Sequence, residues 1–216
     1  MTTLPKRRTA EGSFGRSTPV VAMWFLAVVA GMGVVLEHAY TPGESGDAPK
    51  AWPPGTHISR NVGGPTLIMF AHPHCPCTRA SLGELANIAE NCRGQFKAQV
   101  WFTKPSGTSD VWTNTAIWQQ AATIPGVTIY CDDLGTEASR FHAGTSGETM
   151  LYDQNGKLLF QGGITLSRGH AGDNPARSAL EALLHHQISN QVQSVVYGCP
   201  LLSSRGSFGN AACPKK

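Results

Sequence analysis

The longest apolar run in the chain lies near its N-terminus. Residues 19–36 read PVVAMWFLAVVAGMGVVL and contain no charged residue. A run of about 18 residues is at the lower end of what crosses the hydrocarbon core of a bilayer as a helix. Lysine and arginine precede this run, whereas Glu37 and His38 follow it, so the positive-inside rule keeps residues 1–18 in the cytoplasm. We therefore predict a single transmembrane anchor over residues 19–37.

A cleaved signal peptide is the alternative interpretation of this run. A signal peptidase site requires small residues before the cleaved bond. Glu37 occupies one of these positions ahead of Ala39, and this favours an uncleaved anchor. Both interpretations export the rest of the chain to a compartment in which disulfides persist. We expect a single-pass protein of the inner membrane, with its C-terminal domain in the periplasm or otherwise outside the cytoplasm.

Beyond the anchor, short apolar runs alternate with stretches of helical periodicity. Residues 38–64 are rich in Gly, Pro and polar residues, which predicts a linker. Residues 66–71 (TLIMFA) suit a strand buried on both faces, and Asn155-Gly156 is a strong hairpin signal. The predicted strands cover residues 66–71, 96–102, 127–131, 148–153 and 157–161, and the predicted helices cover residues 78–92, 110–122, 136–142 and 174–188.

The order of these elements is β-α-β-α-β-α-β-β-α. Strands separated by helices require right-handed crossovers and a parallel sheet, and the late hairpin adds an antiparallel edge. We therefore predict an α/β domain with a mixed central sheet over residues 65–190. Residues 191–216 contain several glycines and prolines and are expected to form an irregular tail.

Composition argues against some classes of function and leaves the predicted fold unchanged. Hydrophobic residues make up 41% of the chain and charged residues 14%, so a buried core is expected. Part of the net charge of +3 lies in the N-terminal residues, and no basic patch is interleaved with aromatic residues. Nucleic-acid binding is therefore not expected.

The candidate chemistry lies in the cysteines. Their number is too small and their spacing too irregular for a disulfide-stapled scaffold. Only Cys75 and Cys77 form a tight pair, while Cys92 and Cys131 fall at apolar positions of a predicted helix and strand, where core packing is favoured. The six cysteines are Cys75, Cys77, Cys92, Cys131, Cys199 and Cys213.

The sequence Cys75-Pro76-Cys77 stands where the first strand of the domain ends and its first helix begins. Pro76 suits the first helical position, which predicts Cys75 as the N-cap and Cys77 in the first turn. Unpaired N–H groups and the helix dipole favour a thiolate there, and Arg79 adds positive charge. At such a junction the two sulfurs can form a strained, easily reduced disulfide or clamp a soft metal. His72 and His74 are candidate ligands or modulators of the thiol pKa, or simply exposed turn residues.

The Cys-Pro-Cys motif after the first strand, the extra strand–helix unit and the late hairpin resemble the thioredoxin-like superfamily over residues 64–190. The likeness is to its membrane-anchored TlpA/ResA-type and peroxiredoxin-like branches, and to the bacterial membrane proteins known as RedB. It implies a thioredoxin-like three-layer α/β fold, preceded here by the transmembrane helix, and thiol–disulfide exchange or metal handling outside the cytoplasm.

The chain departs from the family pattern at two places. The usual motif is Cys-x-x-Cys, and here His74 stands in the usual nucleophile position. The family's cis-proline before the hairpin, which shapes the substrate groove, is replaced by Ser146-Gly147-Glu148-Thr149.

The resemblance also brings a Gly-rich loop close to the cysteines. This loop covers residues 162–173 and contains Arg168 and His170. Both are therefore candidate accessory residues, and His170 is also a candidate distal metal ligand. The alternative is that the loop is only a flexible connection. Cys199 either folds back as a resolving thiol or third ligand, or forms a disulfide with Cys213 or Cys92.

Two functions from different classes follow. The first is a thiol–disulfide oxidoreductase that requires no cofactor, uses Cys75 and Cys77, and acts on exported protein thiols or disulfides. The second is a copper-binding assembly factor with Cu(I) held by Cys75, Cys77 and His170 or His74. A third, thiol peroxidase activity, lacks the expected Thr-x-x-Cys context, because His72 occupies the threonine position.

Overall fold

The computed structural model describes residues 14–202. The chain forms two compact units, one up to Ala39 and the other from Tyr40 onward. The first unit contains helix α1 (Phe14–Tyr40), and the stretch Thr18–Tyr40 is long and apolar enough to cross a membrane, with its side chains exposed. The predicted N-terminal apolar helix is therefore confirmed.

Within residues 40–202, the second unit contains a five-stranded sheet and four α-helices. In chain order its elements are β1 (Thr66–Ala71), α2 (Thr78–Asn91), β2 (Lys97–Lys104), a 3₁₀ helix (Asp110–Trp112), α3 (Ala116–Ala122), β3 (Val127–Asp133), α4 (Thr136–Arg140), β4 (Glu148–Tyr152), β5 (Leu158–Gly162) and α5 (Pro175–Leu184).

Strand β1 lies at the centre of the sheet, whose order is β3-β2-β1-β4-β5. It is parallel to β2 and antiparallel to β4, while β3 is parallel to β2 and β5 is antiparallel to β4. Every residue of β1 is buried, as its apolar sequence predicts. The mixed sheet with an antiparallel hairpin edge confirms the predicted thioredoxin-like α/β fold.

Two apolar layers cover the two faces of this sheet. Successive residues of a strand point to opposite faces, so β1 contributes to both layers. One layer packs against α2, α3 and α5, and the other against α4 and the segment before β1. Representative buried residues are Leu67, Met69, Leu82, Phe102 and Leu180 in the first layer and Ile68, Phe70, Trp101, Phe141 and Tyr152 in the second.

Two predicted helices differ from the observed ones. The helix predicted over residues 110–122 is divided, because Thr115 is extended and its hydroxyl caps α3 by accepting a hydrogen bond from the Trp118 N–H at 3.3 Å. The last helix ends at Leu184 instead of residue 188. His186 has a φ of 59°, and a left-handed residue at this point ends a helix.

Residues 40–64, whose composition predicts a linker, pack against the domain instead. Ala48 and Ile58 are buried beside the second apolar layer. The Tyr152 hydroxyl donates a hydrogen bond to the Pro49 carbonyl at 2.9 Å, and Ala51 forms an antiparallel bridge with Lys157. The glycines and prolines of this segment therefore shape a packed extended path.

The C-terminal residues 192–201, which we call the C-terminal strap, also pack on the domain. This region contains no helix or strand among its described residues, yet it is held by main-chain hydrogen bonds. The Gln161 N–H donates to the Val192 carbonyl at 3.0 Å, and the Ser194 N–H donates to the Gln161 carbonyl at 3.1 Å. Cys213 and the rest of residues 203–216 lie outside the described residues.

We expect Leu82→Ala to lower the free energy of unfolding by about 2 to 5 kcal/mol, because Leu82 is fully buried between α2 and the sheet. Val111→Ala is the control, since Val111 is 77% exposed and its truncation should cost less than about 0.5 kcal/mol. Urea unfolding of the full chain in detergent, followed by tryptophan fluorescence, measures both. Equal unfolding midpoints for the two variants would contradict the assignment of this core layer.

Candidate thiol site

Three sulfur atoms meet at the C-terminal end of β1. Cys75 and Cys77 come from the junction between β1 and α2, and Cys199 comes from the C-terminal strap. Their Sγ atoms all lie within 4.8 Å of one another. We call these three residues the thiol cluster. The structure therefore brings together the predicted pair and one of the predicted accessory residues.

The β1–α2 junction is a tight turn whose geometry differs from the predicted one. The Thr78 N–H donates to the Cys75 carbonyl at 3.1 Å, and the Arg79 N–H donates to the Pro76 carbonyl at 3.3 Å. Bonds between residues three apart are of the 3₁₀ type, so regular helix begins only at Thr78. Cys77, and not Cys75, is therefore the N-cap residue of α2.

Ser146 holds this junction in place from the loop before β4. Its hydroxyl accepts a hydrogen bond from the His72 N–H at 2.8 Å and lies 2.7 Å from the Thr78 hydroxyl. Its own N–H donates to the Cys199 carbonyl at 2.8 Å. Ser146 is fully buried, so one residue connects the cysteine turn to the C-terminal strap. In the sequence, Ser146 stands out only as part of a departure from the thioredoxin-like pattern.

Cys75 and Cys199 are in direct contact within the thiol cluster. Their sulfurs are 2.9 Å apart, and the Cys199 N–H donates to Cys75 Sγ at 3.4 Å. A disulfide has a sulfur–sulfur distance of about 2.05 Å, so both residues are free thiols here. Cys75 is only 1% exposed, whereas Cys77 and Cys199 are half-buried.

The environment favours a thiolate at Cys75 over the other two cysteines. Burial acts to raise the pKa of Cys75, but hydrogen bonds from Cys199 and Thr78 outweigh it and hold this pKa below its ordinary value. Burial and the neighbouring Cys75 raise the pKa of Cys77, although Arg168 offsets part of this effect. Burial and the hydrogen bond to Cys75 raise the pKa of Cys199 to about 12. The thiol cluster therefore carries its first negative charge on Cys75.

Arg168 lies beside the thiol cluster, as the resemblance implies. Its guanidinium donates to the Gly198 carbonyl at 2.5 Å and to the Thr41 carbonyl at 3.2 Å, and it interacts electrostatically with Cys77. It thus positions the strap and adds positive charge near the sulfurs.

The other predicted accessory residues do not join the sulfurs. His74 Nε2 lies 2.9 Å from the Trp112 carbonyl oxygen, and the rings of these two residues pack with centroids 4.1 Å apart. Burial, and then the charge of His74, lower the pKa of His72. His170 and Arg79 are exposed, and among residues 14–202 the candidate metal-ligating set at this site contains cysteines alone.

The remaining described cysteines lie away from this site. Cys92 is a buried free thiol in the first apolar layer, with Sγ 3.6 Å from His185 Nε2, and burial followed by the charge of Glu181 raises its pKa to about 11. Cys131 is disulfide-bonded, which differs from the packed thiol predicted from its apolar neighbours.

Solved structures with a similar fold include two of unassigned function. A hypothetical protein from Sinorhizobium meliloti aligns with a TM-score of 0.58 at 17% identity over 76% of this chain and 100% of that protein. An uncharacterized conserved protein from Geobacillus kaustophilus aligns with a TM-score of 0.55 at 18% identity, covering 78% of this chain and 95% of that protein. At these identities the likeness shows the fold alone.

A secreted disulfide oxidoreductase from Mycobacterium tuberculosis aligns more weakly, with a TM-score of 0.40 at 15% identity over 57% of this chain and 82% of that protein. No protein-family model and no curated protein matches the sequence. The thiol cluster itself therefore has to indicate the function.

Two kinds of chemistry suit this cluster. A thiolate next to two further thiols can attack a disulfide and then be released by a neighbouring sulfur. Three convergent sulfurs can also bind a soft metal ion.

We expect Cys199→Ala to move the pKa of Cys75 up towards its ordinary value of 9.0, because the variant lacks the thiol whose hydrogen bond with Cys75 lowers this pKa. Cys199→Ser keeps a side-chain donor and should preserve most of the lowered pKa. The ultraviolet absorbance of the thiolate, titrated against pH with Cys75→Ser as the blank, measures the effect. Identical titrations of the wild type and Cys199→Ala would contradict this account.

The lowered pKa also predicts how stability depends on pH. Between the folded and unfolded pKa values of Cys75 the folded state binds fewer protons, so the stabilisation by Cys75 grows as the pH rises through this window. It is lost as the pH falls through the folded pKa. Urea midpoints measured from neutral pH to pH 9 should therefore fall more steeply with decreasing pH in the wild type than in Cys75→Ser.

Proposed function

We propose that this chain is a membrane-anchored thiol–disulfide oxidoreductase whose domain acts outside the cytoplasm. The observation that carries the proposal is the environment of Cys75 Sγ. This atom accepts a hydrogen bond from the Cys199 N–H, lies 2.9 Å from Cys199 Sγ, and has a lowered pKa despite its burial. A buried sulfur that is stabilised as a thiolate is typical of a nucleophile.

The reaction requires no cofactor, because the sulfur atoms carry the electrons. The Cys75 thiolate attacks one sulfur of a partner disulfide and forms a mixed disulfide, and the partner's other sulfur leaves as a thiolate. A second cysteine of the thiol cluster then attacks Cys75 Sγ and releases the reduced partner. Both Cys77 and Cys199 lie within 4.8 Å of Cys75 Sγ and are able to perform this step.

The proposed location follows from α1 and its flanking charges. The apolar stretch Thr18–Tyr40 has the length of a membrane-crossing helix, and the basic residues before it favour a cytoplasmic N-terminus. The domain then faces an oxidising compartment, where the partners are exported proteins with thiols or disulfides. This location agrees with the anchored extracytoplasmic branch of the thioredoxin-like superfamily that the sequence resembles.

Copper handling is the second candidate function, and the geometry of the sulfurs supports it. Soft thiolate ligands favour Cu(I), and the cluster offers three sulfurs within 4.8 Å of one another. The ligand set proposed on this basis is Cys75, Cys77 and Cys199, in place of the set with His170 that the sequence suggested. Cu(I) is then a cargo that the domain receives and passes on.

The first test is the redox state of Cys75 in the full chain, solubilised in detergent and equilibrated in glutathione buffers of defined potential. Alkylation followed by mass spectrometry should show a reversible two-electron couple that includes Cys75. Cys75→Ser should lose the couple completely, because it removes the nucleophile. Cys92→Ala is the matched control, since it removes a free thiol outside the cluster and should leave the couple unchanged.

The same samples separate the two candidate functions. If the cluster stays reduced in every buffer, the oxidoreductase proposal is wrong. If the reduced wild type then withholds Cu(I) from a colorimetric chelator and Cys75→Ser does not, the copper function takes its place.

A further inference from the structure

The C-terminal strap lies beside the thiol cluster in the manner of a bound extended peptide. Thr145 and Pro200 form an antiparallel bridge. The Ser146 N–H donates to the Cys199 carbonyl at 2.8 Å, and the Leu201 N–H donates to the Gly144 carbonyl at 2.9 Å. Main-chain bonds of this kind are how an extended peptide is recognised at the edge of a folded domain.

Contacts on its other side also hold the strap. The Gly43 N–H donates to the Val196 carbonyl at 2.9 Å, and Arg168 donates to the Gly198 carbonyl at 2.5 Å. Gly198 has no room for a side chain, because a Cβ atom there would lie 2.0 Å from the Ser146 carbonyl oxygen. The residue immediately before Cys199 must therefore be glycine for the strap to lie this close to the domain.

The strap covers the proposed nucleophile. Cys75 is 1% exposed, and Cys199 Sγ lies 2.9 Å from its sulfur. A disulfide of another protein must bring one of its sulfurs into contact with Cys75 Sγ, and with Cys199 in place Cys75 has almost no exposed surface. The strap must therefore leave before an external disulfide can react, and it must return for Cys199 to react.

We propose that the C-terminal strap occupies the place of an extended peptide substrate. Within the strap, Cys199 is the resolving cysteine for Cys75. This inference rests on the proposed disulfide-exchange function, and it identifies Cys199 as the second cysteine of that reaction. The strap opens, Cys75 exchanges with a partner disulfide, and the strap closes so that Cys199 completes the reaction.

The sulfur, electron and proton balance of this cycle is complete. The Cys75 thiolate bonds to one partner sulfur as the partner disulfide breaks, and the other partner sulfur takes up a proton from water. Cys199 loses its proton to water and bonds to Cys75 Sγ, which breaks the mixed disulfide, and the second partner sulfur leaves as a thiolate that takes up a proton from water. The partner disulfide gains two electrons, and Cys75 and Cys199 lose two as their disulfide forms.

Cys77 is less suited to this role. It is separated from Cys75 by Pro76 alone and has helical backbone angles as the N-cap of α2, so a Cys75–Cys77 disulfide closes a small ring and disturbs the start of the helix. Cys199 lies on a segment outside the helices and strands and already lies at hydrogen-bond distance from Cys75 Sγ.

Tryptic mapping of the oxidised full chain distinguishes the two disulfides. Trypsin releases Cys75 and Cys77 together in the peptide 61–79 and Cys199 in the peptide 178–205. We expect oxidation in glutathione buffer to join these two peptides both in the wild type and in Cys77→Ser, in which Cys75 is the only cysteine of peptide 61–79. A disulfide contained within peptide 61–79 would overturn this inference and leave the proposed function standing. The absence of any disulfide at Cys75 would overturn both.

Opening of the strap is measured by the alkylation of Cys75 in a reduced Cys77→Ser background. Gly198→Ala should increase the alkylation rate about tenfold, which corresponds to strap binding weakened by about 1.4 kcal/mol. Gly63→Ala is the control, because the nearest atom to a Cβ at Gly63 is at an ordinary 3.7 Å. Its rate should equal that of the background protein.

Arg168→Gln provides a second route if Gly198→Ala does not fold. This variant loses the guanidinium bond to the Gly198 carbonyl, so the alkylation of Cys75 should again be faster than in the Gly63→Ala control. If Cys75 is alkylated at the same rate in the folded strap variants as in the control, the strap does not gate the nucleophile and the inference is wrong.

Discussion

The organisation of the site depends on one buried serine. Ser146 accepts a hydrogen bond from the backbone of the cysteine turn through its hydroxyl and donates one to the strap through its N–H. Proline at this position could not make the second bond, because it has no N–H. A residue with an N–H at this position is thus what holds the C-terminal strap where Cys199 meets Cys75.

The burial of Cys75 has a direct electrostatic consequence. Removal of a thiol from water disfavours its charged thiolate form unless hydrogen-bond donors replace the lost hydration. Cys199 and Thr78 supply these donors, and both depend on segments that Ser146 contacts. Packing and chemistry are therefore coupled: a change that loosens the strap exposes the nucleophile and, at the same time, removes a donor that keeps its pKa low.

The sequence predicts the fold of this protein better than it predicts the thiol cluster. The all-apolar run of β1 and the helical spacing of α2 are strong local signals, so these elements lie close to where they were predicted. The meeting of Cys75 with Cys199 depends on tertiary contacts across 124 residues of chain, which no local pattern encodes. Residues 40–64 read as a linker because an extended packed segment and a flexible one share the same composition.

The contact between Arg168 and the Thr41 carbonyl bears on where the domain can be separated from α1. Thr41 directly follows α1, and Gly43 bonds to the strap two residues later. A soluble fragment cut at residue 64, where the linker prediction ends, would lack both contacts along with the buried Ile58. Such a fragment would report on a thiol cluster whose strap has lost these contacts, so a fragment that keeps the site intact begins at Tyr40.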